Sequence, residues 1–494
     1  MPSGEVFTFG RFRLEVDNRR LFRDSTQIQL PSRQFDLLLA LLQRAGTLVT
    51  KDELIAFVWK GTAVEDNTLA RVVMQLRALL DEEGHASHVE TVERHGYRWV
   101  TPIARTTATG PVTDLEALLA PHRIWVDGRA ALETLALSEI QRARRELAPL
   151  VTAHPNDARF RVALAMACTL HYESTRADEL PDGEALREAR HHAERACQLH
   201  PDYGDAWATL GMVRERLGQR LDALAALERA VTLEPDNWRH WIRLAYTSWG
   251  EARLRAARRA LELSPESPLA LWLMATVYVA RGALDLAERT IDRAIASVAG
   301  DDDERRRFAP VAVYWLKGLL LLARGADAEA IAAFERELAF EVRGHLYARE
   351  VAANSCYALG AVKLANGNEA GARQWFEQAL ARVPLHPMAR TGLALIDLVR
   401  RDNEGGFGAF SVGVPEERPG VDEPPSEAVL ALAVFLTRQG AAGIERAAEV
   451  VADALARLSA SSACWLLPIE PLIGVQRNPD RWARPLARLR ERAG

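Results

Sequence analysis

The sequence predicts a mainly α protein in two parts, a small α+β domain at the N-terminus and a long helical solenoid behind it. Three observations carry this reading. Residues 5–30 alternate between apolar and polar in short runs, residues 65–99 hold an amphipathic helix followed by a strand-turn-strand, and beyond residue 117 an apolar pattern recurs with a period near 34 residues.

The elements follow in order. VFTFGRFRLEVDNRRLFRDSTQIQL is broken by Gly10, Asp17-Asn18 and Asp24-Ser25, which marks a small antiparallel sheet. Pro31-Ser32 opens a helix striped by Phe35, Leu38, Leu39 and Leu42 and stopped by Gly46, and Thr50 caps a second, shorter helix, KDELIAFVW. Asp66 is placed to cap a third helix, in which Leu69, Val72, Val73, Leu76, Leu79 and Leu80 form one apolar stripe. On its opposite side lie Asn67, Arg71, Met74, Gln75 and Ala78, with Thr68 beside them. After a polar break, ETVERHGYRW reads as a two-stranded ribbon. Sheet, three helices and ribbon, in that order, make a winged helix-turn-helix. Its third helix fits the major groove of double-stranded DNA, about 12 Å wide, where Arg pairs with guanine and Asn or Gln with adenine. An ordinary solvated surface helix would show the same polar face, and the neighbouring elements favour the DNA reading.

The segment resembles the OmpR/PhoB-type winged helix-turn-helix domain of transcriptional regulators. LPSRQFDLLLALLQRAGTLVTKDELIAFVW, the Leu76-Arg77 pair late in the third helix and ETVERHGYRW all sit at that family's spacing, over about a fifth of the chain. The DNTL opening at Asp66 to Leu69 is closer to the one-component CadC/ToxR/HilA-like branch. The resemblance implies that Trp59, Thr91 and Arg77 contact or support the phosphate backbone, with Arg33 and Lys51 as further candidates, although Trp59 could equally be core. Two departures stand out. Glu93 sits where many members carry a wing arginine, so Arg94 is the expected wing contact, and Met74-Gln75 replace an arginine-rich pair, implying a different base preference.

Charge tempers the expected affinity. Residues 1–105 contain 14 Lys plus Arg and 14 Asp plus Glu, so the remainder carries the whole net charge of −5. With few phosphates neutralised, occupancy of an operator calls for dimerisation or tandem binding, with half-sites about one helical turn apart.

The rest of the chain is repetitive. In GDAWATLGMVRERLGQRLDALAALERAVTLEPDN, residues 204–237, Trp207, Leu210-Gly211, Gly218, Ala223, Leu227, Ala230 and Pro235 fall where a tetratricopeptide repeat places them. Small residues let the paired helices approach, and large ones fill the space between them. Similar units start at 268, 311 and 353, and degenerate copies end at Pro155, Pro201 and Pro265. The predicted organisation is a winged helix domain over 1–105, a linker over 106–116, a repeat array over 117–400, an irregular loop over 401–425, and a closing repeat and cap over 426–494. The fold class is thus mainly α: an N-terminal winged helix-turn-helix (α+β) followed by an α-helical tetratricopeptide-repeat solenoid.

Large residues recur on the first helix of successive units. Tyr246, Trp272, Trp315 and Tyr357 form either a groove for a protein or small effector or the packing between repeats. Catalytic chemistry is not expected: no phosphate-binding glycine loop, GxSxG or HExxH appears, and the carboxylates sit among arginines at helical steps. No metal site and no cofactor are expected either, since His171, His191, His192 and His200 lack ligand spacing. The cysteines at 168, 197, 356 and 464 are isolated and read as buried thiols. The N-terminus does not read as a signal peptide, and the most apolar run, Val311 to Leu322, is too short to span a bilayer and contains Lys317. Four lysines against 58 arginines suggest a GC-rich bacterial genome. The expected function is a cytoplasmic, non-enzymatic, sequence-specific transcription regulator, an activator by resemblance. It would touch RNA polymerase through the loop near Trp59 to Val64 and dock a partner or effector through its repeats, without membrane attachment. The alternative is a repeat scaffold or co-chaperone whose winged helix binds protein.

Overall fold

A computed structural model of the protein describes residues 5–16, 18–24, 26–59, 66–81, 87–106, 115–297, 311–403, 426–457 and 464–494. The side chain of the capping Asp66, the loop over 60–64, residues 107–114 of the predicted linker (106–116) and 404–425 of the predicted irregular loop (401–425) lie outside the described residues, while 106 ends a strand and 115–116 and 401–403 belong to helices. The chain forms two units, Met1–Ala130 with Pro149–Phe160, and Ala131–Ala148 with Arg161–Gly494.

In the first unit the alternating residues become strands β1 (Val6–Phe9), β2 (Phe12–Glu15), β3 (Arg20–Arg23) and β4 (Thr26–Ile28). Phe7 faces Leu14 and Phe9 faces Phe12 across β1 and β2; all four are buried, while Thr8 and Arg13 between them are exposed. Helix α1 (Ser32–Gln43) follows, then β5 (Leu48–Thr50), α2 (Lys51–Trp59), α3 (Asp66–Leu80), β6 (Val89–Val92), β7 (Gly96–Trp99) and β8 (Ala104–Thr106). The antiparallel sheets have strand orders β4-β3-β2-β1-β8 and β5-β7-β6. Phe7, Phe9, Phe12, Leu14 and Leu21 of the first sheet pack with Phe35, Leu38, Leu54, Leu69, Val73, Leu76 and Trp99 into one core. Thr50 and Glu53 start α2 as a reciprocal capping box: the Thr50 N–H donates to Glu53 Oε2 (2.8 Å) and the Glu53 N–H to Thr50 Oγ1 (3.3 Å). Beyond β8, helix α4 (Leu115–Glu133) brings the His122 ring 5.8 Å from Phe57 of α2, next to the buried Trp125.

The second unit is a run of antiparallel helix pairs: Gly204–Arg216 with Arg220–Leu233, Trp238–Thr247 with Gly250–Leu263, Pro268–Ala280 with Leu284–Ala296, Val313–Ala323 with Asp327–Leu338, Ala348–Ala365 with Glu369–Arg382, and Ser426–Thr437 with Gly440–Arg457. Glycines set how closely each pair packs. A Cβ on Gly211 would stand 2.6 Å from Leu227 Cγ, and one on Gly360 2.5 Å from Phe376 Cε1. The chain also doubles back on itself. The Leu346 N–H donates to Leu135 O (2.7 Å) and the Leu137 N–H to Gly344 O (3.0 Å), and Tyr347 Oη donates to Glu173 Oε2 (3.0 Å). The last helix, Ala483–Ala493, is held by Arg281, whose Nε donates to Ala493 O (2.8 Å). Among the described residues no helix is long and apolar enough to cross a membrane, and the four cysteines are buried and form no disulfide.

Candidate nucleic-acid interface

Helix α3 separates its two faces as its periodicity requires. Leu69, Val72, Val73, Leu76 and Leu80 are buried, and Leu79 is half-buried. Asn67, Arg71, Met74, Gln75 and Ala78 are exposed on the other side, with Thr68 half-buried beside them. Met74 is 63% exposed. Gln75 is steadied by α1, since Gln34 Nε2 donates to its Oε1 (3.2 Å).

Arg77 turns away from that face and joins helix to wing. Its Nε and Nη2 donate to Val89 O (3.0 and 2.6 Å), and Nη2 also reaches Thr91 Oγ1 (2.8 Å). At the C-terminus of α3, Arg23 Nη2 donates to Leu79 O (2.6 Å), placing a cation where the helix dipole is negative. The wing turn Glu93-Arg94-His95 projects beyond β6 and β7 with all three residues exposed. Arg94 has φ +64°, a left-handed conformation that costs an L residue about 1–2 kcal/mol, and it sits at the tip of the turn. Gly96 closes the turn against Val49 of β5, where a Cβ would collide with the backbone. The Lys51 N–H donates to His95 O (3.3 Å), tying the start of α2 to the same turn.

Trp59 is 5% exposed and belongs to the core, so the packing reading of that residue holds for its ring. Its indole Nε1 is buried without a hydrogen-bond partner among the described residues, and the Arg33 guanidinium lies 5.6 Å from the ring centroid. The structure thus brings Asn67, Thr68, Arg71, Met74 and Gln75 onto one helix, Thr91 and Arg77 to the helix-wing joint, Arg94 to the wing tip, and Trp59, Arg33 and Lys51 to the flanking helices.

The family model described as "Transcriptional regulatory protein, C terminal" matches residues 25–99, the span of α1–α3 and the wing. The N-terminal domain belongs to this family. The OmpR/PhoB-type domain is also 30% identical over 109 residues to the transcriptional regulator HilA of Salmonella typhimurium, a match covering 22% of this chain and 20% of HilA. It is 28% identical over 100 residues to the transcriptional activator CadC of Escherichia coli K12, covering 20% of each chain. The chain therefore spans about a fifth of the length of these curated relatives. The solved DNA-binding domain of E. coli CadC is 26% identical and is covered in full by 21% of this chain, with a TM-score of 0.20. A tetratricopeptide-repeat model matches residues 204–247. An OmpR/PhoB-type DNA-binding domain is thus joined here to tetratricopeptide repeats.

The four aromatic residues expected on the repeats meet other parts of their own chain. Trp272 and Trp315 take the Trp465 ring edge-on, at 6.0 and 6.4 Å between centroids. Tyr357 is buried and donates its hydroxyl to the Glu470 carboxyl. Burial pushes Glu470 up to about 7, against the lowering effect of the Tyr357 hydroxyl and the Leu472 N–H. Tyr246 lies under the Arg216 guanidinium, 5.1 Å from its centroid, and Arg216 is itself paired with Glu173. Leu467, Ile469, Leu472 and Val475 complete the apolar core that Trp315 and Tyr357 share. A C-terminal segment that carries no repeat pattern packs on Trp272, Trp315 and Tyr357, while Tyr246 packs against Arg216.

Proposed function

We propose that the protein is a sequence-specific DNA-binding transcription regulator acting in the cytoplasm, and an activator, whose repeat array receives a protein partner or small effector. The observation that carries this reading is the exposed face of α3, where a guanidinium and two amides project from a helix fixed to its wing by Arg77. In this reading α3 enters the major groove and Asn67, Thr68, Arg71, Met74 and Gln75 meet base edges. Arg94 reaches the backbone from the wing tip, and Arg77, Thr91, Arg33 and Lys51 hold or meet phosphates around it. Trp59 supports the backbone contacts from the core beneath them. Activation rests on likeness to CadC, called a transcriptional activator. A contact with RNA polymerase through residues 60–64 concerns residues outside those described.

The test is fluorescence anisotropy of the full chain on a panel of genomic promoter fragments at about 100 mM salt, where screening leaves specific contacts dominant. A preferred fragment bound at least tenfold above the others supports the reading. Equal affinity for every fragment ends it. A reporter driven by the preferred fragment then separates activation from repression.

A further inference from the structure

Asp205, Glu234 and His240 converge at the junction of two repeats, each offering a ligand atom within 4.8 Å of the others. Asp205 stands in the first turn of helix Gly204–Arg216, Glu234 just after helix Arg220–Leu233, and His240 in the first turn of Trp238–Thr247. His240 Nε2 lies 3.1 Å from Glu234 Oε2 and 3.7 Å from Asp205 Oδ1. A tetrahedral ion with bonds of about 2.0–2.2 Å separates its ligand atoms by roughly 3.3–3.6 Å, between those two distances.

The carboxylates are oriented by their far sides. The Gly204 N–H donates to Glu234 Oε1 (3.2 Å), and Gly204 is needed there because a Cβ would stand 2.7 Å from Glu234 Cδ. Tyr203 Oη donates to Asp205 Oδ2 (3.4 Å), and on the inner side Asn237 Nδ2 lies 3.0 Å from both Glu234 Oε2 and His240 Nε2. Such outer hydrogen bonds fix ligating carboxylates in metal sites. His240 is 0% exposed, and its Nδ1 is buried without a hydrogen-bond partner among the described residues, so the ring is held from its Nε2 side, where the two carboxylates and the Asn237 amide meet it.

The repeat does not call for these residues. HPDYGDAW (200–207), EPDNWRHW (234–241), SPESPLAL (264–271) and VPLHPMAR (383–390) occupy the same register, and the place of His240 is filled by Ala206, Ala270 and Ala389, each fully buried. Packing wants a methyl group there. An imidazole in its place, beside two carboxylates, has the composition of a coordination site.

We propose that Asp205, Glu234 and His240 bind a divalent transition-metal ion of the zinc class, which links consecutive repeats of the array. One imidazole nitrogen and two carboxylate oxygens suit Zn²⁺ with water as fourth ligand; Ca²⁺ prefers six to eight oxygens, and Mg²⁺ an octahedral shell of oxygens. The ion joins helix Gly204–Arg216 to the turn before Trp238–Thr247 and stabilises the native array by mass action, since the three ligands meet only in the fold.

The experiment uses the full chain, stripped by chelator and without DNA, titrated with Zn²⁺ against a chromophoric competitor, with Co²⁺ as a spectroscopic probe. The variants are Glu234→Gln and His240→Ala, the latter installing the residue its neighbours use, so that folding survives; circular dichroism checks this. The expected result is one equivalent of Zn²⁺ bound, a raised melting temperature, tetrahedral Co²⁺ absorption, and roughly 100-fold weaker binding in both variants. Absence of stoichiometric binding, or unchanged binding in a folded His240→Ala chain, overturns the proposal and leaves the triad as a hydrogen-bonded junction.

Discussion

Three arginines in the OmpR/PhoB-type domain separate stability from recognition. Arg77 donates to a strand carbonyl and a threonine, so Arg77→Ala should lower the unfolding free energy by about 1.5–3 kcal/mol in urea titrations. Arg71 stands on the exposed face; Arg71→Ala should leave stability within about 0.5 kcal/mol and weaken binding to the preferred fragment by about 1–3 kcal/mol. Arg94 should move the two quantities in opposite directions. Its left-handed backbone is one that glycine adopts freely, so Arg94→Gly should be neutral to stabilising by up to about 1 kcal/mol while DNA affinity falls. A loss of stability would mean that the Arg94 side chain holds the wing. In the array, Glu470 and Glu337 are both pushed up to about 7, in each case chiefly by burial. A carboxyl raised in the folded state keeps its proton after the unfolded chain has lost it. Stability from that group is therefore full at low pH and falls between about pH 4.5 and 7, by roughly 3 kcal/mol for a shift of this size. Glu470→Gln should flatten its share of that fall, gaining on the natural chain above pH 7 in thermal melts at paired pH values; an unchanged difference across pH would show that Glu470 does not titrate there.

What holds the elements together explains which of them were legible in the sequence. Helix α3 was legible because six apolar residues at helical spacing leave one polar face, and the folded helix keeps that division. The helix pairs were legible because close approach admits only small residues. Phe376 lies between Gly360 and Gly392, and a Cβ on either would stand 2.5 Å from its ring. The ring is fully buried. Gly360→Ala should therefore destabilise the array by about 1–3 kcal/mol through overpacking, and Phe376→Leu in the same chain should recover part of that loss. If Gly360→Ala melts unchanged, the pair is looser than described. The contacts of Trp272, Trp315 and Tyr357 were not legible, because their partners Trp465 and Glu470 lie more than a hundred residues away in a segment without periodicity. Strand β8 is hidden for a related reason: three residues carry no alternation, and the strand exists because β1 offers an unpaired edge. Asp205, Glu234 and His240 did leave a signal, a histidine at a register of alanines, visible only once the repeats are aligned on one another.

At the scale of the whole molecule, charge limits how the chain can hold DNA. Residues 1–105 balance 14 basic against 14 acidic side chains, so the domain brings no broad positive field to the duplex. Phosphate contacts then rest on a few placed groups, with Arg33, Lys51, Arg77 and Arg94 the backbone contacts proposed above. Each phosphate neutralised contributes about −0.9 to the slope of log K against log salt, so one bound domain should give a slope of about −3 to −4. That is too little electrostatic free energy for firm occupancy of a single half-site at physiological salt, and a second domain on a tandem site would double it. Anisotropy titrations at several salt concentrations, on fragments carrying one and two copies of the preferred half-site, should give slopes near −3 to −4 and near −7 to −8 respectively. The same slope on both fragments would mean that one domain binds alone and that tandem binding plays no part. A slope far steeper than −4 on the single half-site would mean that cations outside the winged helix reach the backbone, and the arginine-rich array is where they would be found.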